Sequence, residues 1–154
     1  MRSLLTGVFL LFATGLSPAE GAPAETLLTT SEVRGLSREA ADERLPLQLS
    51  GVVTYAVPHG RGTAPRPLAG FILQDQTEGI YIALPDPAPE GADTVKAGDF
   101  VEVTGTTHPG GFAPTVVLQT LNRKGSAPVP VGPSIPLQEL LKGSHDCQLV
   151  TLEG

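Results

Sequence analysis

From Leu45 onward, apolar residues recur at every second position in short runs, and each run is cut off by glycine or proline. A period of two belongs to a half-buried strand, because successive side chains on a strand point to opposite faces. This pattern commits the chain past residue 45 to strands. In the first run Leu45, Leu47 and Leu49 alternate with Pro46, Gln48 and Ser50, then Gly51 leads into Val52–Val57. We read one long bent strand here, with Gly51 permitting the bend. Residues 58–67 (PHGRGTAPRP) hold too many prolines and glycines for a strand and read as a loop.

Gly70–Gln74 and Ile80–Leu84 read as the second and third strands of a hairpin. Phe71 and Leu73 share one face, Ile72 and Gln74 the other. Across the turn, Ile80, Ile82 and Leu84 point inward, and Tyr81 and Ala83 point outward. Asp75 suits the turn because its carboxylate can accept hydrogen bonds from nearby backbone, and Gly79 tolerates positive φ. The connector Pro85–Gly98 has room for one helical turn around Ala92–Lys96. Phe100–Gly105 is the fourth strand, with Val101 and Val103 inward, residues 106–112 (TTHPGGF) a loop, and Pro114–Asn122 the fifth strand.

The expected fold is therefore all-β: a small five-stranded Greek-key barrel of OB-like order over residues 45–125. An SH3-like barrel or small sandwich is the second choice. With 18 glycines and 15 prolines in 154 residues, the composition suits short strands and many turns. Residues 25–44 form a helical lead-in. Thr29, Thr30 or Ser31 can cap a first short helix with Glu32 in its first turn, and Ser37 a second over Arg38–Glu43. Residues 126–136 are a Pro-rich linker, and Ser134–Leu141 reads as a short capped helix. Leu149–Gly154 resembles Pro46–Gly51 in alternation and terminal glycine, so residues 137–154 are expected to start a second barrel, the chain being a fragment. The other reading is an edge strand that pairs with the single barrel.

The N-terminus has the three parts of a secretory signal peptide over residues 1–24: Arg2, the apolar stretch Leu4–Leu16, and the small, turn-rich Ser17–Ala24. The mature chain is expected to begin near Glu25, on the outer side of a bacterial membrane. An uncleaved N-terminal anchor is the alternative, and no cysteine near the cleavage region is available for lipidation. The lone Cys147 has no internal disulfide partner and reads as a small buried apolar residue.

No residue pattern carries catalysis. His59, His108 and His145 lie in separate loops without metal-ligand spacing, so no metal or cofactor is expected. There is no nucleophile elbow and no phosphate-cradling glycine motif. A net charge of −6 opposes nucleic-acid binding, which rests mainly on Lys and Arg. The expectation is a non-enzymatic binding module for a small ligand, glycan or protein. Its candidate contacts are Tyr81, Gln74, Tyr55 and Phe112, with Arg61 and Arg66 from the first loop. Phe112 could instead plug a barrel end. The alternatives are a single-stranded nucleic-acid-binding OB protein and a ligand-free structural domain.

Several segments also carry a resemblance: EVRGL (32–36), LSGVVTY (49–55), QDQTEGIYI (74–82), GDFVEVTG (98–105) and PGGFAP (109–114). Together they resemble the OB-like extracytoplasmic module near the N-terminus of some bacterial membrane-bound sensor histidine kinases and related signalling proteins. The resemblance implies a module that can occur in tandem ahead of a transmembrane helix, which would lie downstream of this chain. It supplies no ligand or catalytic residue.

Overall fold

The structure is a computed structural model and describes residues 25–57 and 69–153. The signal-peptide stretch and the loop with His59, Arg61 and Arg66 lie outside the described residues.

The chain folds as an all-β, OB-like barrel. Its strands are β1 (Pro46–Val57), β2 (Gly70–Gln74), β3 (Gly79–Ala83), β4 (Asp99–His108) and β5 (Thr115–Ser126), closed in the order β1-β2-β3-β5-β4. All pairs are antiparallel except β3 with β5, which run parallel and meet only at Ile82–Val116 and Ala83–Val117. The inner face is that given by the period of two. Leu47, Leu49, Val53, Phe71, Leu73, Ile80, Ile82, Val101 and Val103 are buried, joined by Val116 and Leu118 of β5. Leu84 falls one residue beyond β3 and packs partly buried against this core.

Segments on either side of the first three strands add buried residues to the barrel. Ala92 and Val95 come from the connector, which forms a single 3-10 turn at Ala92–Thr94. From the lead-in come α1 (Thr30–Arg34) and α2 (Arg38–Asp42), which bury Val33 and Ala41. Ser37 caps α2 as expected, and of the three candidates for α1 the structure selects Thr29. The Thr29 side chain accepts from the Glu32 N–H in a reciprocal capping box, and Ser37 accepts from Ala40. A five-residue helix does not persist alone. Burial of Val33, about 2 kcal/mol of transfer free energy, is one of the tertiary contacts that hold α1 in place.

Four local features differ from expectation. First, β4 and β5 run well past their predicted ends, to His108 and Ser126, because they pair with each other almost throughout, accommodating two register shifts. The polar Thr107 is buried there, its hydroxyl donating to Ala41 O at 2.8 Å and accepting from Leu45 N–H at 3.0 Å. Second, Gly51 is needed for close approach: a Cβ there would lie 2.4 Å from Gln74 O. The change of register in β1 comes three residues later, at a bulge between Val53 and Tyr55. Third, Ser134–Leu141 is not one helix. Ser134–Ile135 forms β6, and α3 is only Leu137–Leu140, capped by Pro136 without a side-chain bond. Proline pushes the residue before it into extended conformation, which places Ile135 in a strand. Fourth, the C-terminal strand β7 is only Thr151–Leu152 and pairs in parallel with β6, not with the barrel.

The segment from β6 to β7 is paired in the same parallel sense as the lead-in. Leu27 bridges Leu47 in parallel across α1 and α2, with bonds Leu27 N–H to Pro46 O and Gln48 N–H to Leu27 O. Ile135 faces Leu152 in parallel across α3, with Glu153 N–H donating to Ile135 O. The first unit buries Val33, Ala41 and Leu47, with Leu27 partly buried against the core and Leu28 exposed. The second leaves Leu137, Leu141 and Leu152 exposed.

Candidate functional site

In small OB barrels the outer face of the second and third strands is the usual binding surface. Here one row crosses it in register: Tyr55 on β1, Ile72 on β2, Tyr81 on β3. The bulge at Thr54 creates this row. Val53 points into the core, so strict alternation would send Tyr55 inward as well; one extra residue turns it out, 60% exposed.

Tyr81 corrects the expectation of an exposed contact. It is half-buried, and its ring lies over Gly70, where a Cβ would be 2.5 Å from the hydroxyl and 2.7 Å from Cζ. An aromatic ring covering a cross-strand glycine restores apolar area that the glycine lacks. The Tyr81 hydroxyl is buried and unpartnered among the described residues. Burial raises its pKa, with the nearby Cys147 adding to the effect.

The edge of β3 left open by its short pairing with β5 is taken by the tail. The Gln148 carboxamide accepts from Gly79 N–H at 3.1 Å and donates to Gly79 O at 3.3 Å. A Cβ on Gly79 would lie 2.1 Å from Cys147 O, so this approach requires glycine. Cys147 is half-buried with φ 59°, not the fully buried residue expected. Burial, together with the Asp146 carboxylate, pushes its thiol up to about 11, leaving little thiolate at neutral pH. Phe112 neither plugs the barrel nor joins the row. It is fully exposed on the β4–β5 loop, beside a shallow depression formed with Leu140 and His145.

Gln74 leads to a second surface that the sequence reading missed. In register across the outer wall run Phe100 on β4, Val52 on β1 and Gln74 on β2. Beside them Ser50 and Gln48 continue the outward face of β1. Together they floor a groove of about 670 Å³. One bank is the hairpin turn with Gln76 and Thr77, another is Leu28 and Thr29 of the lead-in, and Pro130 closes a third side. The volume lies within the ~300–1,000 Å³ typical of small-molecule sites. Leu28 is 62% and Phe100 36% exposed, while Gln74 Oε1 is buried with no partner among the described residues. The available signal was the polar alternation Gln48, Ser50 and the outward position of Phe100 implied by inward Val101.

The turn that forms one bank is held rigidly by Asp75. Oδ1 accepts from Thr77 N–H at 2.7 Å, Thr77 hydroxyl at 2.6 Å, Glu78 N–H at 3.1 Å and Thr30 hydroxyl at 2.8 Å. Oδ2 accepts from Thr30 N–H at 2.8 Å. Burial is the largest influence and raises the Asp75 pKa, but the bonds from Thr77 and Thr30 together outweigh it and hold the carboxyl below its usual range. An ion pair from Arg34 Nε to Glu78 Oε2 at 2.9 Å adds a second tie between α1 and the turn. Among the described residues no three His, Cys, Asp or Glu side chains come together as metal ligands.

The fold and these surfaces define an OB-like barrel. Among solved structures it is similar to the hypothetical protein ygiW from E. coli, at 14% identity and a TM-score of 0.46, over 66% of this chain and 92% of that one. No protein-family model and no curated protein matches the sequence.

Proposed function

We propose that this protein is a non-enzymatic, exported OB-like binding module whose ligand sits in the β1 groove. The observation that carries the reading is the registered row Phe100–Val52–Gln74 flooring a groove of about 670 Å³. The hairpin face offers less: Tyr81 lies over Gly70, the tail takes the β3 edge, and Tyr55 alone stands free among the described aromatics of that row. The raised thiol of Cys147 and the fully engaged Asp75 carboxylate favour binding over chemistry. The apolar stretch Leu4–Leu16 supports export.

The test is a thermal-shift screen of sugars, peptides and metal ions on the protein and on Ser50→Trp and Tyr55→Ala. A ligand of the native state raises the midpoint. The groove reading requires that Ser50→Trp abolish the rise and Tyr55→Ala keep it. The reverse pattern returns the site to the hairpin face.

The finer reading is the sensory front end of a membrane-bound signalling protein related to sensor histidine kinases, with residues 137–154 opening a second barrel. It is supported by the sequence resemblance and by the parallel β6–β7 unit with its exposed Leu137, Leu141 and Leu152. A reading frame continuing beyond Gly154 into another barrel and a membrane span is the expected genomic result. A stop codon at that point overturns the sensor assignment.

A further inference from the structure

The groove on β1 has a definite chemistry, and from it we infer that its ligand is a neutral glycan segment; this rests on the groove being the binding site. Three observations select that class.

The first is charge. The polar side chains lining the groove are the carboxamides of Gln48, Gln74 and Gln76 and the hydroxyl of Ser50, with the Thr29 and Thr77 hydroxyls already engaged with Glu32 N–H and Asp75. The one ionised lining group, Asp75, has both oxygens taken by five protein donors. The groove therefore presents neutral groups that donate and accept, and these match sugar hydroxyls, which also do both. An anionic phosphate chain would meet no cation among these lining residues.

The second is the orphaned Gln74 Oε1, buried and without a partner among the described residues. A buried acceptor left unpaired costs free energy, and a ligand O–H or N–H directed at that carboxamide recovers it. The third is the wall itself. At Val52, β1 is paired on both sides, to Gln74 of β2 and to Phe100 of β4. At that position no strand edge opens into the groove floor, and at Gln48 the far side is taken by Leu27, so strand addition, in which main-chain bonds supply a peptide's affinity, has only the short stretch Ser50–Gly51 to use. Side chains are left as the main readers of the ligand. A sugar ring meets this need: its C–H face rests on the exposed Phe100 ring, and its hydroxyls reach Gln48, Ser50 and Gln74.

The experiment titrates the protein with maltotriose, cellotriose and chitotriose, following amide chemical shifts and heat of binding. Trialanine and hexathymidylate serve as comparison probes. At least one trisaccharide is expected to bind saturably, with shifts centred on Gln48, Ser50, Gln74 and Phe100. Phe100→Ala should weaken binding about tenfold. Gln74→Leu should weaken it as well while leaving the thermal midpoint of the free protein unchanged or raised, an outcome that a purely structural glutamine would not give. Gln48→Ala, on an exposed position, provides the same reading if Phe100→Ala folds poorly. Trialanine or hexathymidylate bound in the groove with no sugar bound overturns the glycan class and leaves the groove as the site. Sugar-induced shifts gathered on Tyr55, Ile72 and Tyr81 overturn both readings. Failure of all three trisaccharides to bind at millimolar concentration overturns the glycan inference.

Discussion

The Asp75 carboxylate grips Thr30 at two points, accepting from its backbone N–H and its hydroxyl at 2.8 Å each across 45 residues of chain. A turn residue thereby also serves as the anchor for the first helix. Asp75→Ala leaves Thr30 and Thr77 donors without their acceptor in a part-buried site. Charge-assisted bonds of this kind are worth about 1.5–3 kcal/mol, and we expect a loss of roughly 2–3 kcal/mol in urea denaturation. Thr30→Val should lose about 1–2 kcal/mol, since Thr77 and Glu78 still hold the carboxylate.

The same carboxylate predicts how stability changes in acid. Its pKa is lowered in the folded state, so the unfolded chain binds the proton more readily. The stabilisation is complete above the unfolded value near ~3.9 and disappears as pH falls through the lower folded one. Urea midpoints measured from neutrality down through that window should fall more steeply for the native protein than for Asp75→Asn. Equal slopes would remove Asp75 from the acid response.

Gly51→Ala should be among the most damaging small substitutions. Its Cβ would sit 2.4 Å from Gln74 O and 2.8 Å from Gln74 C, both backbone atoms that cannot swing away. The strands must part, at roughly 3 kcal/mol, the upper end of overpacking costs. Because the strain falls under the groove, Gln74 and Phe100 amide signals should move with it.

Gly79→Ala should dislodge the tail and spare the barrel. The new methyl would collide with Cys147 O at 2.1 Å, whereas the core residues Ile80 and Ile82 keep their places. With its thiol at about 11, Cys147 should react slowly with a disulfide reagent at pH 8 and faster as pH rises toward that value. In Gly79→Ala the pH 8 rate should increase several-fold as burial is lost.

The two tyrosines of the outer row should behave differently. Tyr55→Ala removes a mostly exposed ring and should change stability by no more than about 0.5 kcal/mol. Tyr81→Ala uncovers Gly70 and should cost about 2 kcal/mol. Equal effects in thermal unfolding would overturn the covering role given to Tyr81.

Alternation was enough to place the barrel wall. Phe71, Leu73, Ile80 and Ile82 lie inside because a strand must put every second residue on its apolar side. The Ser37 cap was legible, and the first cap was narrowed to Thr29, Thr30 or Ser31, because such residues satisfy donors in their own helices. The candidate site was largely illegible, since it depends on which residues from distant strands come into register. Val52 opposite both Gln74 and Phe100 is a property of closure, which no local window contains. The bulge beside Thr54 has no glycine to announce it, and the position of Cys147 against Gly79 joins segments far apart in the chain. Tyr81 was misjudged because an outward direction does not ensure exposure when the neighbouring strand position is glycine.

Gln148 has a protective consequence for the edge of β3. A short strand with bare amides and carbonyls along one side invites another chain to zip onto it. By engaging both the N–H and the O of Gly79, one carboxamide imitates a single rung of a neighbouring strand and then stops. That seam of β3 is sealed at its first stitch, which denies a neighbouring copy this place from which to begin zipping on.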